Sequence, residues 1–343
     1  MAMFNDRPAR ADTTIDARML ADGVRITLHE RRGSKPITWG DVGQLDWSQF
    51  AIVLGAGGAT GLSFEAGCLL ALATDHRIRL GDARTVVGTS AGAIAGSLIA
   101  LGFEGDDLAA VVARVDHHLE PQLASLGVRF EGELPAMPGV AQLLRRPTLG
   151  STTASLAMLV QRRFTAILIN AVRAGTFDLA DRLRFLHDVD WPSLDLRVCA
   201  ASAHTGARQV FTPSSGTSLI DAVAASCAIP GVMRSMMVDG VPYVDGGLIS
   251  PTNADVLDDL TGELVVVLSP MSGACSSSTI GRLSSTHARR RLAFELKRLR
   301  RKHQVLLIEP ANTLATMVLD AALATDNNRH ILAATFLGSS QSI

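Results

Sequence analysis

The stretch Val86-Val87-Gly88-Thr89-Ser90-Ala91-Gly92-Ala93 constrains this chain more than any other. A β-branched run enters it, a small-residue helical pattern leaves it, and a serine stands at the centre of Gly-x-Ser-x-Gly. That is the pattern of a nucleophile elbow, a sharp strand-to-helix turn in which Gly88 and Gly92 admit a tight backbone path. The helix beyond it points its N-terminus at the serine, where free N–H groups and the helix dipole favour developing negative charge. Glycine, serine and alanine are common residues, so the pentapeptide alone also fits an ordinary turn. The rest of the chain decides between the two.

Upstream, Phe50-Ala51-Ile52-Val53-Leu54 is a compact apolar run ending in Gly55-Ala56-Gly57-Gly58-Ala59-Thr60-Gly61, and a helical pattern follows from Phe64 to Leu72. A strand, a glycine-rich turn and a helix in that order cradle an anion, because several backbone N–H groups turn toward one point. A dinucleotide fingerprint is the rival reading and fits poorly. A Gly-x-Gly-x-x-Gly match from Gly55 ends on Thr60, and the acidic residue expected further on is Asp75, which does not end a strand. Thr85-Val86-Val87 supplies the next strand, so the unit reads strand, helix, strand, with parallel neighbours and a right-handed crossover. Both turns then lie at the carboxyl ends of adjacent strands, where the N–H groups of Gly57, Gly58 and Ala59 can face Ser90. An oxyanion cradle and a nucleophile converge by topology.

Apolar residues make up 47% and charged residues 19% of the 343 positions, which suits a sizeable buried core. A formal net charge of -1 gives no overall pull toward nucleic acid or anionic membrane, and no nucleic-acid partner is expected. Cys68, Cys199, Cys227 and Cys275 are far apart, with no Cys-x-x-Cys spacing. That is the pattern of reduced thiols in a cytoplasmic protein rather than of a disulfide framework or a zinc site. The first 22 residues hold no apolar stretch of signal-peptide length. Thr85 to Phe103 does reach membrane-span length without a charge, but its glycines, serines and small apolar residues suit a buried helix behind the elbow. The chain reads as soluble.

Residues 1–47 read as a partly irregular lead-in, in which Val24 to Leu28 alternates like a short strand, and residues 48–343 as one catalytic domain. Within it, 104–192 reads as a helical insertion, with Leu108, Val111, Val112, Val115 and Leu119 at helical spacing, and again Leu156, Leu159, Val160, Phe164, Ile167 and Leu168. Arg145, Arg146, Arg162 and Arg163 fit a solvated face there. Leu196 to Ser202 returns to strand, with Gln209-Val210-Phe211 as its hairpin partner. A short helix from Leu219 to Ala225 ends in Ala225-Ser226-Cys227-Ala228-Ile229-Pro230-Gly231, a rigid loop. In Tyr243-Val244-Asp245-Gly246-Gly247-Leu248 the two glycines let the backbone turn and leave the Asp245 carboxylate at the rim, with Asn253 and Asp255 at a helix start beyond. Leu264 to Leu268 reads as a buried strand. Segment 282–303 is strongly basic around the stripe Leu292, Leu296 and Leu299, which fits a crossover helix into the strand at Val305. Its charge also gives an expectation of peripheral contact with an anionic membrane surface.

Taken together, Gly55 to Gly61, Gly88 to Gly92, Ala225 to Gly231 and Asp245 to Gly247 resemble the patatin-like phospholipase family in order and spacing, over roughly residues 50–310. The resemblance implies a three-layer α/β sandwich on a mainly parallel sheet, a Ser–Asp dyad of Ser90 and Asp245, and hydrolysis of lipid acyl esters. Two positions depart from the family pattern. Where the family has a further glycine and a basic residue, this chain has Ala56 and Thr60. Losing the cation removes one contact near the oxyanion or a lipid phosphate, while the backbone donors at Gly57, Gly58 and Ala59 remain.

A triad needs a histidine between serine and acid, and none of the nine histidines lies in the motif segments; His204 is the nearest. Asp245 then has to take the serine proton itself, and a free aspartate with a pKa of about 3.9 is a weak base. Burial beside Val244 and Leu248 is expected to raise it. The reading is a serine lipid acyl hydrolase that works through an acyl-enzyme and uses neither cofactor nor metal. An acyltransferase using the same intermediate, or a non-catalytic lipid-binding protein with a degenerate site, are the alternatives.

Overall fold

The computed structural model of the chain describes residues 23–113, 183, 186–230, 232–273, 279–311, 314–316 and 318. Its centre is a run of parallel strands in which each apolar stretch of the sequence is covered on both faces. Strands β1 (Val24–Glu30) and β2 (Gly33–Pro36) form a hairpin, and helix α1 (Trp39–Val42) leads to β3 (Phe50–Leu54). Helix α2 (Gly58–Asp75) and strand β4 (Thr85–Thr89) follow, then α3 (Ala91–Ala100) and α4 (Gly105–Ala113). After these come β5 (Asp195–Ser202), β6 (Arg208–Phe211), α5 (Leu219–Ser226), β7 (Met236–Val238), β8 (Val241–Asp245) and β9 (Leu264–Leu268). Helix α6 (Thr279–Leu299) crosses from β9 to β10 (Gln304–Pro310). The sheet order is β2-β1-β10-β9-β3-β4-β5-β8-β7, with β6 also on β5. Neighbours from β10 to β5 are parallel. The hairpin β1–β2 and strands β6, β8 and β7 add antiparallel margins.

Every residue of β3, β4 and β9 is buried, the signature of central parallel strands. Alternate side chains divide the core. Ile52, Leu54, Val266, Leu268, Leu306 and Ile308 pack with Phe64 and Leu72 of α2 and Leu98 and Ile99 of α3. Ala51, Val53, Val265, Val267, Val305 and Leu307 pack on the other face with Leu292, Leu296 and Leu299 of α6. Helices therefore cover both faces, giving three layers. Each such Val, Leu, Ile or Phe side chain withdrawn from water contributes about 1.5–3 kcal/mol, so the two faces hold the strands in one register.

Several segments take more specific places than their composition suggests. The lead-in from Val24 onward is part of the sheet: β1 runs antiparallel to β10, with Val24 opposite Pro310 and His29 opposite Val305. The apolar stretch Thr85 to Phe103 divides into β4 and α3, and among the described residues no helix is long and apolar enough to cross a membrane. Asn253 precedes a 3-10 helix, Ala254–Asp259. Of the helical insertion, α4 is described, whereas the patterns from Val115 to Leu168, the arginines at 145, 146, 162 and 163, and Cys275 lie outside the described residues.

Candidate active site

Strand β4 ends at Thr89 and α3 begins at Ala91, so Ser90 occupies the whole bend. Its φ of 54° with ψ of −118° is a conformation that a side chain rarely adopts, at a cost of about 1–3 kcal/mol that the surroundings must offset. They do so with hydrogen bonds. The Ser90 N–H donates to the Ser226 hydroxyl at 2.9 Å, and that hydroxyl donates to the Cys199 carbonyl at 2.7 Å. The Cys227 thiol donates to the Ser90 carbonyl at 3.1 Å, and Ala93 N–H donates to the same oxygen at 2.8 Å. Gly92 is required by packing: a Cβ there would stand 2.2 Å from the Leu54 carbonyl oxygen. Its N–H donates to the Gly55 carbonyl at 3.2 Å, which fixes the elbow helix against the glycine turn.

Asp245 ends β8, directly opposite Ala200 of β5, and β5 lies beside β4. The antiparallel margin thus brings the acid to the edge where β4 delivers Ser90. Gly246 allows it, because a Cβ there would lie 2.2 Å from the Cys199 carbonyl oxygen. Asp245 N–H donates to the Ala228 carbonyl at 2.9 Å, and Gly247 N–H donates to its carboxyl at 2.7 Å. Ser90 and Asp245 are both buried, at 4% and 6% exposure. Burial pushes the Asp245 carboxyl up to about 6, while hydrogen bonding from the Ser90 hydroxyl and the Gly247 N–H works in the opposite direction.

The glycine turn runs into α2. Gly57 is the cap, Gly58 has a φ of 61°, and Gly61 N–H closes the first helical turn on the Gly57 carbonyl at 2.9 Å. The N–H groups of Gly57, Gly58 and Ala59 precede that bond and have no acceptor among the described residues. Gly58 and Ala59 are half-buried and accessible. Ala56 N–H donates to the Pro251 carbonyl at 2.8 Å, and the Ala56 methyl lies 3.2 Å from where a Cβ on Gly247 would stand. The turn is therefore seated against the acid turn as well as the elbow. Thr60 does not open toward the site: it is fully buried, and its hydroxyl donates to the Val318 carbonyl at 2.8 Å and lies 3.3 Å from that of Gly57. Glu65, further along α2, is completely buried, and burial holds its carboxyl well above the usual range. Burial thus favours the uncharged acid there, which would leave the local field of the N–H groups uncancelled.

Three residues that the motifs did not mark join the two halves. Asn253, buried and left-handed at φ 50°, donates from Nδ2 to the Thr89 hydroxyl at 3.0 Å, to the Gly246 carbonyl at 3.4 Å and to the Ser250 carbonyl at 2.5 Å. Glu295 of α6 accepts from the Thr252 hydroxyl at 2.5 Å and from Ala254 N–H at 3.1 Å, bracing the residues on either side of Asn253. His287, also on α6, is buried beside the Gly247 backbone, and burial followed by the Arg291 charge lowers its imidazole to about 4. His204 is exposed in the β5–β6 turn. His287 stands roughly 100–140° around α6 from Ala288, Leu292 and Leu299, so the apolar stripe of the helix did not mark it. Among the described residues no group of three or more His, Cys, Asp or Glu side chains is arranged to hold a metal ion.

Residues 52–258 match the profile of the patatin-like phospholipase family, a stretch that begins in β3 and includes the glycine turn, the elbow, the Ser226 loop and the Asp245 turn. Comparison with curated proteins gave no match. Among solved structures, VipD from Legionella pneumophila is 16% identical, with a TM-score of 0.35 over 67% of this chain and 50% of its own. The type III effector ExoU is 18% identical, with a TM-score of 0.26 over 84% of this chain and 61% of its own. ExoU in the heterodimeric ExoU–SpcU complex of Pseudomonas aeruginosa is 17% identical, with a TM-score of 0.27 over 91% and 60%. The chain spans between half and about three-fifths of the length of these structures.

Proposed function

The chain belongs to the patatin-like phospholipase family, a family of lipid acyl hydrolases, and from that premise we propose that it cleaves carboxylic esters of lipids through Ser90 and Asp245. The observation that carries this reading is the buried Ser90–Asp245 pair on the same sheet edge as three backbone N–H groups that have no acceptor among the described residues. Ser90 Oγ attacks the ester carbonyl carbon, and its proton passes to the Asp245 carboxylate. The carbonyl π electrons move onto oxygen, and the resulting oxyanion is received by the N–H groups of Gly57, Gly58 and Ala59. Collapse breaks the bond to the leaving alcohol, which takes the proton from Asp245. Water then attacks the acyl-enzyme, gives its proton to Asp245 and releases the fatty acid, and that proton returns to Ser90.

The division of work follows from the chemistry of each part. A carboxylate with a pKa near 6 is a better base than an ordinary aspartate and still ionised at neutral pH. One oxyanion-hole donor contributes about 2.7–4 kcal/mol elsewhere, so the glycine turn supplies a large share of the barrier reduction. Loss of the family's basic side chain at Thr60 leaves those donors in place and bears on phosphate recognition. Panels of p-nitrophenyl esters, lysophospholipids and phospholipids, run with the wild type and Ser90→Ala, test the reading. A serine-reactive fluorophosphonate should label the wild type alone. Full esterase activity in Ser90→Ala, or no labelling of the wild type, overturns it.

A further inference from the structure

The basic segment 282–303 is not uniform in the fold. Arg298 pairs with Asp258, and Lys302 donates to the Asp258 carbonyl, so both are held against the 3-10 helix Ala254–Asp259. Lys297, Arg300 and Arg301, in the last turn of α6 and just beyond it, instead meet Arg31 around a cleft of about 400 Å³. Register brings Arg31 there. β1 runs antiparallel to β10 with His29 opposite Val305, so the turn after Glu30 stands beside the start of β10. Among the described residues no carboxylate lines the cleft, and none of its four cations belongs to an ion pair.

Four like charges on one small concavity repel one another. The C-terminus of α6 offers only about half a negative charge in compensation. The field reaches a neighbour: burial, and then the Arg300 charge, push the His29 imidazole below its ordinary value. A solvated helix end explains cations that point outward on separate paths. It does not explain why an arginine from a hairpin far away in sequence completes the ring.

We propose that this cleft binds a phosphate-rich anion, through three guanidinium groups able to grip phosphate oxygens in pairs and one ammonium. The site is not the catalytic one. It lies at the amino ends of β9 and β10, whereas Ser90 and the glycine turn lie at the carboxyl ends of β4 and β3, across strands of about 17–20 Å. A lipid headgroup seated here could not place its own ester on Ser90, so the occupant is an effector or an anchor. A bilayer reached through this cleft would also face the edge of the sheet remote from Ser90. The phosphate can be free or carried on a lipid, and the two sources separate by experiment.

Isothermal titration and thermal melts of the full chain with inorganic tripolyphosphate at low salt test the free form. Co-sedimentation with phosphatidylcholine vesicles, with and without phosphatidic acid, tests the lipid form. Lys297→Gln with Arg301→Gln should weaken whichever binding is seen by about a hundredfold or more, since each lost charged hydrogen bond costs about tenfold or more. The charge-matched pair Arg282→Gln with Arg290→Gln, on the exposed side of α6, should retain it. Binding should also persist in Ser90→Ala, which keeps this result separate from the catalytic reading. Circular dichroism melts without ligand establish that both double variants fold. Binding of neither probe, or equal weakening in the two double variants, overturns the proposal.

Discussion

At the acid turn the backbone and side-chain polar groups are engaged by the protein itself. Asp245 N–H is held by Ala228, its carboxyl by Gly247, and the Gly246 carbonyl by Asn253. At the glycine turn, which follows β3 three places along the sheet from β8, the N–H groups of Gly57, Gly58 and Ala59 remain without acceptors among the described residues. Both turns are rich in glycine, and both sit where parallel strands end. In the mechanism proposed above, one turn fixes a titrating group in a single place and the other keeps donors available for a charge that exists only during reaction. Positioning needs closed hydrogen bonds, whereas oxyanion reception needs open ones.

The largest effect expected from breaking the closed side is in Asp245→Asn. The amide keeps the shape and cannot accept the serine proton, so turnover on a p-nitrophenyl ester should fall by about 10⁴-fold, as in other sites that lose their acid. In the wild type, turnover should rise with pH through about 6, as the Asp245 carboxyl ionises. Stability carries the opposite sign. A folded-state value raised from 3.8 to about 6 means the native state holds its proton longer than the unfolded chain. Stability is therefore lost as pH rises between those values. Denaturant titrations should show that loss in the wild type and a flatter profile in Asp245→Asn.

Ser226→Ala should come next. It removes the hydroxyl that links the Ser90 N–H to the Cys199 carbonyl and leaves two buried backbone groups unpaired. The stability cost should be about 1–3 kcal/mol. Turnover should fall by up to about 10²-fold through displacement of the reacting serine. Unchanged labelling kinetics with a fluorophosphonate would mean that the elbow holds its strained φ without this bond.

Much of the frame was legible because local rules write it. Apolar runs bounded by glycine gave β3, β4 and β9, and the two glycine-flanked turns gave the bend at Ser90 and the turn that opens α2. What binds the turns to one another was not legible, since Ser226 and Ser90, or Asn253 and Thr89, meet across long stretches of chain and no spacing rule connects them. The alternation at Val24 to Leu28 marked a strand, but its place beside β10 comes from pairing across the whole domain and no local rule gives it. Thr60 is the sharpest case. It reads as the absence of a cation, yet the side chain points into the protein and ties the glycine turn to Val318. Thr60→Val should therefore lower stability by about 0.5–1.5 kcal/mol, measured by chemical denaturation. Turnover should be nearly unchanged, since the cradle donors are backbone groups.

The smallest effect should come from Glu65→Gln, which examines the open side from beneath. Glu65 is completely buried in α2 just beyond the glycine turn, and burial raises its carboxyl well above the usual range, which favours the neutral form. An ionised carboxylate there would oppose the oxyanion that the N–H groups of Gly57, Gly58 and Ala59 are placed to receive. If Glu65 is neutral throughout, the isosteric amide changes nothing in that field, and kcat/KM should stay within about twofold of wild type across neutral pH. If Glu65 is ionised, replacing it removes a repulsive charge, and the variant should be faster by about tenfold for each 1.4 kcal/mol relieved. The direction of the change, read from parallel kcat/KM profiles, thus decides whether the open turn rests on an uncharged floor.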